Sequence, residues 1–190
     1  MEEILDVFNR NGKVIGKASR EEVHQKGLWH KVVVGYIIND KLQVLLQRRS
    51  KNKQYPNVWD ASVAGHLCAG EKIEDALVRE SKEEIGLDIN KNMLQHILSD
   101  KYKRKVNKQK DFQIVEFFLT RQKIDIEKLV IDENEVAQLK WLSLEKYIEK
   151  LKNKDKDYLI HSKNEIKILN TYLLFEKYKK LLKNANKIIK

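Results

Sequence analysis

Three glutamates, Glu80, Glu83 and Glu84, constrain the fold and the chemistry of this 190-residue chain more than any other feature. If the segment is a helix, their spacing places all three carboxylates on one face. Like charges at these spacings repel by about 0.2–0.5 kcal/mol per pair. A bound cation would remove that repulsion, and carboxylate oxygens suit a hard divalent ion such as Mg²⁺ or Mn²⁺. The sequence therefore predicts a helix that binds a divalent metal.

The residues around these glutamates follow a fixed spacing. Gly65 stands six positions before Glu71, Arg79 stands eight positions after Glu71, and Gly86 stands two positions after Glu84. Gly86 is placed to be the left-handed residue that ends the helix. Seven specified residues would coincide by chance at on the order of 10⁻⁸ per starting position. The alternative, a solvated acidic helix face, explains neither the glycines nor Arg79.

This spacing matches the Nudix box, with the apolar Leu87 in its last position, and the chain resembles the Nudix hydrolases. The resemblance implies the family's α/β/α sandwich, in which the box helix packs against a mixed sheet. The box departs from the family pattern at Ser81, where an apolar residue is usual. We expect the Ser81 hydroxyl to bond to the backbone four residues earlier.

The resemblance also implies roles for the box residues. The metal, Mg²⁺ or Mn²⁺, would be bound by Glu80, Glu83, Glu84 and the carbonyl oxygen of Gly65. Arg79 would hold a glutamate through a bidentate ion pair, and Glu71 would support the loop and the helix.

The resemblance further implies that one glutamate deprotonates the water that attacks the substrate. The position of this glutamate varies within the family. Glu80 and Glu83 are candidates inside the box. Glu133 and Glu135 lie on a later loop and are candidates for an extra base or metal ligand. The alternative for these two is an acidic surface loop. The predicted catalytic set consists of Arg79, Glu80, Glu83 and Glu135.

Four residues are candidates for binding the substrate. Arg48 and Arg49 end a predicted strand and are placed to bind phosphates. Successive strand residues point to opposite faces, so we expect only one of them to do so. His66 and Trp59 are close enough to the box to line the pocket, although a core position is the alternative for Trp59.

A closer resemblance covers residues 4–145. Several segments are similar to the Nudix branch related to isopentenyl diphosphate isomerase: 5–7, 27–30, 46–49 and 59–66. Those isomerases use a cysteine just before the Gly-His that starts the box, together with a glutamate on a later strand. Here the cysteine position holds Ala64, and Cys68 lies four residues later, on the box loop. Hydrolysis is therefore the better interpretation.

The same branch has a histidine-rich metal site, which His24, His30 and His66 resemble. A histidine near a strand end is more often a hydrogen-bonded structural residue than a ligand. Both interpretations stay open for these three residues, and Cys68 is interpreted as an inert loop residue.

Strands and helices are segregated along the chain, which favours an α+β fold. We predict an N-terminal hairpin over residues 3–18 around Asn11-Gly12 and a short helix from the capping residue Ser19 to about Lys26. A central antiparallel hairpin should follow over residues 31–49. Further elements are a strand over 93–103, a basic loop over 104–111, a strand over 113–120 and a short strand around 139–142.

The predicted Nudix domain covers residues 1–152, and its last helix runs over Leu144–Lys152 with Ser143 as its cap. Residues 153–190 form a C-terminal helical extension that is helical from Asp157 onward. An apolar stripe is predicted at Ile168, Tyr172, Phe175 and Leu182. It packs on the core or on a second subunit, so a homodimer is one interpretation.

The net charge of +10 comes mainly from this extension, because residues 151–190 hold eleven lysines and four acidic residues, or +7. The lysines lack the arginine clusters and interleaved aromatics of RNA-binding proteins, so we favour a solvated helix face over a nucleic-acid surface. We also find no apolar run that spans a bilayer, no signal peptide and a single cysteine. We therefore expect a cytoplasmic protein without a membrane partner.

Together these features predict a Mg²⁺- or Mn²⁺-dependent diphosphatase. Its substrate would be a small molecule, a nucleoside diphosphate derivative or a related organic diphosphate, whose P–O–P linkage is cleaved by water. Two alternatives stay open: isopentenyl diphosphate isomerase, and a non-catalytic Nudix-fold module whose basic tail binds RNA or a protein partner. The box does not select among substrates.

Overall fold

The computed structural model describes residues 2–106 and 109–188. Within these ranges the strands are β1 Ile4–Phe8, β2 Val14–Ser19, β3 Trp29–Ile38, β4 Gln43–Arg49, β5 Trp59–Asp60, β6 Val63–His66, β7 Gln95–Val106, β8 Gln109–Arg121 and β9 Val136–Ser143. The helices are α1 Arg20–Lys26, α2 Ile73–Ile85, α3 Leu144–Lys152 and α4 Lys163–Ile188. The predicted α+β class, the N-terminal hairpin and the two short helices are confirmed.

Strand β3 is the axis of the sheet. Along one edge it runs parallel to β8 from Trp29 to Ile38, and along the other it pairs antiparallel with β6 over residues 32–35. The predicted central hairpin is wrong in its extent, because β3 and β4 pair only at Ile38 and Val44. The other positions of β3 are taken by β6 and β8, so β4 turns away and pairs with β5 and β9.

The side chains of β3 alternate between two cores, as the period of two in a strand requires. Val33 and Ile37 pack in the core that contains Leu77 of α2. Val34 and Tyr36 pack in the core that contains residues of α3 and α4. Helices therefore cover both faces of a mixed sheet, and the α/β/α sandwich is confirmed.

Helix α2 carries the box glutamates and ends as predicted, because Gly86 is left-handed with φ +66°. The expected bond from Ser81 to the backbone four residues earlier is wrong. Its buried hydroxyl donates to the Leu87 carbonyl over 2.9 Å. The left-handed turn at Gly86 folds Leu87 back over the last helical turn, where its N–H also bonds to the Ser81 carbonyl over 3.2 Å. The hydroxyl thus closes the end of the helix.

The predicted basic loop over 104–111 is also wrong where the structure describes it, because Arg104 and Asp111 pair within an antiparallel β7–β8 hairpin. Residues 107 and 108 lie outside the described residues. Two basic side chains of this hairpin lie over aromatic rings. The Cζ of Arg104 is 4.6 Å from the centroid of the Tyr102 ring. The Nζ of Lys103 is 4.8 Å from the centroid of the Phe112 ring.

Helix α4 begins at Lys163, six residues later than predicted, and the Ser162 hydroxyl accepts from the backbone N–H of Glu165 over 3.1 Å. Its buried residues are Glu165, Leu169 and Leu173. Of the two predicted packings of the stripe, packing on the core of this chain does not extend to its C-terminal part, because Phe175 and Leu182 are exposed. The core ends before them. Across 2–106 and 109–188 we find no helix with the length and apolarity needed to cross a membrane.

The fully buried Glu165 joins α4 to the sheet. Its carboxylate accepts from the Tyr36 hydroxyl and from the backbone N–H groups of His161 and Ser162, at 2.7 and 3.2 Å for the two N–H groups. Burial raises its pKa. We expect Glu165→Ala to lower the free energy of unfolding by about 3 kcal/mol, because it leaves buried donors without an acceptor.

Urea denaturation measures this change, with the exposed Lys167→Ala on the same helix as the control. We expect the control to change stability by less than about 0.5 kcal/mol. Equal effects of the two substitutions would show that the Glu165 carboxylate does not hold α4 on the sheet.

Candidate active site

A cavity of about 680 Å³ opens beside the box loop and α2. Residues distant in the sequence complete its wall, from the loop after β4, the start of β8, the loop before β9 and the segment before α4. From the box the lining residues are Gly65, His66, Cys68, Arg79, Glu80, Glu83 and Glu84. From elsewhere they include Arg49, Lys53, Ala64, Asp132, Glu135 and His161.

The Glu80 side chain lies directly against the backbone of Gly65. A Cβ at position 65 would overlap the carboxyl group of Glu80, so any larger residue would push the carboxylate away. This contact explains why the loop needs glycine. It also brings the carbonyl of the predicted loop ligand next to a predicted metal ligand on the helix.

The guanidinium of Arg79 joins the loop to the helix. It binds Glu71 through two parallel bonds, from Nε over 2.9 Å and from Nη2 over 3.0 Å. Its Nη1 donates to Glu80 over 2.8 Å and to Glu83 over 3.0 Å, while Nη2 also reaches the His66 carbonyl over 3.0 Å. The bidentate partner is therefore Glu71, whose carboxylate also accepts from the Cys68 N–H. Hydrogen bonding to Glu71 raises the pKa of Arg79.

Glu84 is almost completely buried at the back of the cavity. One carboxylate oxygen accepts from the Gln47 side chain over 3.1 Å and from the Ala64 N–H over 3.2 Å. Burial, reinforced by the charge of Glu80, raises the pKa of Glu84 to about 8. Burial also raises the pKa of Glu80, although Arg79 opposes it. Glu83 is different, since 59% of its side chain is exposed.

Two loops bring further charged groups to these glutamates. Lys53 forms an ion pair with Glu135, and both line the cavity. Burial lowers the pKa of Lys53, although the charge of Glu84 opposes this. The predicted candidate Glu135 therefore lies at the site, whereas Glu133 is exposed and outside the cavity lining.

The side chains of the two arginines at the end of β4 lie in different surroundings, as the alternation of side chains along a strand requires. Arg49 lines the cavity, and its Nη1 donates to the fully buried Asp60 over 2.9 Å. Asp60 also bonds His161, with a distance of 2.5 Å to Nε2. Arg48 instead donates to the Asn57 carbonyl and lies 5.8 Å from the centroid of the Trp59 ring. Arg48 and Trp59 are not among the cavity residues.

Three histidines meet at one end of the cavity. Each of His24, His30 and His66 offers a ring nitrogen, and these atoms lie within 4.8 Å of one another. In the described part of the chain, this is the one such group of three possible ligands. The Nε2 atoms of His30 and His66 and Oδ1 of Asp111 are buried without a hydrogen-bond partner. Asp111 Oδ1 is 3.6 Å from His30 Nε2, which is too long for a hydrogen bond.

Burial lowers the pKa of His30 to about 4 and that of His66 well below its usual value. Both rings are therefore neutral near pH 7, which is the form that binds a metal. Unpartnered nitrogens facing a carboxylate fit a transition-metal ion such as Mn²⁺. The Nδ1 atoms of His24 and His30 each bond a backbone carbonyl, at 2.7 and 3.1 Å, which leaves the Nε2 atoms of these rings to serve as ligands.

The box carboxylates also fit a divalent cation, in a different way. Glu80 and Glu84 are both buried and have raised pKa values, so a bound cation would stabilise the ionised forms that burial disfavours. Their oxygens are partly engaged by Arg79 and Gln47. Binding of a hard ion would therefore require small side-chain movements, whereas the histidine nitrogens already converge.

Two features separate this cavity from that expected of an isomerase. Ala64, which lines the cavity, supplies no thiol. The lining residues from β8 are Asp111 and Gln113. Glu116 of the same strand is bonded instead to Lys31, at 2.7 Å, and to His96, at 2.9 Å.

Comparison with known proteins identifies the family. The family model described as NUDIX domain matches residues 28–162, so the chain belongs to the Nudix family. An uncharacterised Nudix hydrolase of Clostridium acetobutylicum is 35% identical over 157 residues, which cover 80% of this chain and 76% of that protein. Isopentenyl-diphosphate Delta-isomerase 2 of Photorhabdus laumondii is 30% identical over 186 residues, which cover 96% of this chain and all of that protein. The protein is therefore a Nudix hydrolase with similarity to the isomerase branch.

Solved structures agree on the fold. A crystal structure from Deinococcus radiodurans superposes with a TM-score of 0.67 at 20% identity, covering 89% of this chain and 98% of that one. An Ap4A hydrolase of C. elegans superposes with a TM-score of 0.52 at 22% identity, covering 77% of this chain and 97% of the other. These likenesses confirm the Nudix fold.

Sequence reasoning missed four residues of the site: Lys53, Asp60, Asp111 and His161. Asp60 left a signal, because a charge inside the apolar segment 58–64 must be paired once it is buried. The sequence contains no such signal for His161 or Lys53, because only the fold brings their segments to the cavity.

The raised pKa of Glu84 predicts how the metal-free protein responds to pH. The folded state binds the proton of the Glu84 carboxyl group more tightly than the unfolded state does. The stability that this bound proton contributes is therefore lost as the pH rises towards 8. We expect the free energy of unfolding without metal to fall by about 1–2 kcal/mol between pH 6.5 and 8. The pKa values of His30 and His66 are lowered by burial, so these two groups titrate below this window.

Chemical denaturation in chelator at both pH values measures this loss. Glu84→Gln is the comparison, because an amide cannot titrate. The same decline in both proteins would contradict the assignment to Glu84.

Proposed function

We propose that this protein is a Mg²⁺- or Mn²⁺-dependent diphosphatase. It would cleave the P–O–P linkage of a nucleoside diphosphate derivative, or of a related organic diphosphate, by attack of water. One observation carries the proposal: Arg79 joins Glu71, Glu80 and Glu83, and Glu80 lies against Gly65. Glu84, Arg49 and Lys53 line the same cavity.

In this proposal Glu80, Glu83, Glu84 and the Gly65 carbonyl would hold the metal. When bound, it would neutralise charge on the diphosphate oxygens and lower the pKa of water. Arg79 keeps Glu80 and Glu83 in their rotamers, and Glu71 fixes Arg79 in turn. Arg49 and Lys53 supply positive charge to the phosphates, and His66 lines the same cavity.

The general base would be one of Glu80, Glu83 and Glu135. Burial favours Glu80 for this role, because its raised pKa makes the carboxylate a stronger base near neutral pH. In the free enzyme the carboxylate of Glu135 is engaged by the ion pair with Lys53. The histidine group would hold a second ion, separate from the box.

The histidine group also supports isopentenyl diphosphate isomerisation as a second candidate, since the Photorhabdus laumondii relative carries that name. Ala64 and Gln113 weigh against it, because neither can transfer a proton at carbon. A non-catalytic binding module fits less well, since the carboxylate set is complete. We keep as proposals the catalytic domain of residues 1–152, the extension of residues 153–190 and a cytoplasmic location.

Metal-dependent release of phosphate or nucleoside monophosphate tests the reaction class. The panel contains nucleotide sugars, dinucleoside polyphosphates, NAD and prenyl diphosphates. We expect hydrolysis of at least one class with Mg²⁺ and none in chelator. Failure across the panel together with deuterium uptake into isopentenyl diphosphate in D₂O would establish the isomerase instead.

Glu83→Gln should separate chemistry from folding. We expect kcat to fall by at least about 10²-fold, because a proposed metal ligand is lost. The melting temperature should stay within about 2 °C, since the Glu83 side chain is largely exposed. Glu74→Gln on the same helix is the matched control and should keep full activity. A fully active Glu83→Gln enzyme would refute the metal assignment.

The neighbouring arginines of β4 offer a matched pair for substrate binding. Arg49→Gln should raise KM by about tenfold, because the cavity loses one cation that binds phosphate. Arg48→Gln should leave KM within about twofold, since Arg48 lies outside the cavity. Steady-state kinetics on the best substrate of the panel distinguishes the two. A larger effect at Arg48 would reverse the assignment.

A further inference from the structure

The second half of α4 has an apolar face that no described residue covers. Leu174, Phe175, Tyr178, Leu181 and Leu182 are 59%, 54%, 59%, 67% and 46% exposed. At about 100° per residue they share one arc of roughly 120° around the helix. From Leu174 to Leu182 this face is about 12 Å long.

This arc lies opposite the buried face of the first half. Glu165, Leu169 and Leu173 point into the core, and their mean direction is roughly 180° from that of the exposed apolar arc. One core cannot cover both faces of a straight helix. The first half of α4 therefore packs on the sheet, and the second half carries its apolar side turned away from it.

Lysines border the apolar arc on both sides. Around the helix, Lys177 follows Leu181 and Lys179 follows Phe175, each about 40° beyond the edge. Lys180 and Lys183 lie on the far side of the helix. The only acidic residue of this segment is Glu176, which accepts from Arg121 over 2.7 Å and from Lys179 over 3.3 Å. Lys177 reaches Glu145 of α3 over 2.7 Å. The face is thus apolar in the middle and bordered by exposed lysines that outnumber the acidic residues of the segment.

We propose that this face docks flat on an anionic phospholipid surface. The apolar side chains would enter the boundary between headgroups and acyl chains, while the rim lysines would contact lipid phosphates. Charge complementarity selects this partner, because the negative surface attracts each basic residue near it. Docking of this kind needs no membrane-spanning segment.

The same charges disfavour the other occupants. A second copy of this chain would bring the lysines of two helices beside each other, and each of these segments holds Glu176 as its one acidic residue. Nucleic acid would use the lysines but would leave the apolar side chains in water. An anionic lipid surface satisfies both parts of the face.

Sedimentation of the full-length protein with vesicles tests the proposal. One vesicle type is phosphatidylcholine alone, and the other contains equal parts of phosphatidylcholine and phosphatidylglycerol. We expect the partition coefficient to be at least about tenfold higher on the anionic vesicles and to fall with added salt.

Substitutions on and off the face give matched controls. Leu181→Asp should lower the partition coefficient at least tenfold, by about 1.4 kcal/mol. Ile15→Asp, at an apolar residue of β2 that is 64% exposed, should leave it unchanged. The rim pair Lys177→Gln/Lys179→Gln should cost about 25-fold, and the far pair Lys180→Gln/Lys183→Gln clearly less.

Three outcomes would overturn the proposal. Vesicle binding could be absent, it could be equal on neutral vesicles, or it could survive Leu181→Asp. Light scattering adds a further check, because a dimeric mass that becomes monomeric in Leu181→Asp would assign the face to a second copy. Circular dichroism of each variant confirms that it remains folded.

Discussion

The Arg79 guanidinium is the interaction on which the site depends. It binds Glu71 on the loop, Glu80 and Glu83 on the helix, and the His66 carbonyl at the end of β6. An arginine suits this position because its planar donors stay charged and reach several acceptors at once. Without it, the carboxylates of α2 would repel one another in a partly buried wall. The loop and the helix therefore form one rigid unit.

The rest of the fold presents this unit to a substrate. Strand β3 carries β6 on one edge and β8 on the other, so the box loop and the start of β8 face the same cavity. The segment before α4 closes one side through His161, which holds Asp60 and, through it, Arg49. Arg49 and Lys53, whose charges suit a diphosphate, thus line the same cavity as the box carboxylates.

Local patterns were predictable from the sequence, and contacts between distant segments were not. The box from Gly65 to Leu87 and the capping residues Ser19 and Ser143 act within a few positions, so their spacing carries the structure. Tertiary packing determines the parallel pairing of β3 with β8 and the contact between His161 and Asp60. Such contacts produce no periodic pattern in the sequence. The packing of helix α4 was not predictable from its apolar pattern. The first half turns one apolar face inward, and the second half turns the opposite apolar face outward.

The direct test of the account is the fate of water oxygen. Hydrolysis of the best substrate in H₂¹⁸O with Mg²⁺ should place one ¹⁸O atom on a phosphate group of a product, because water attacks phosphorus. Mass spectrometry of the products detects it. Absence of ¹⁸O from every phosphate product, or ¹⁸O attached to carbon, would contradict attack at the P–O–P linkage.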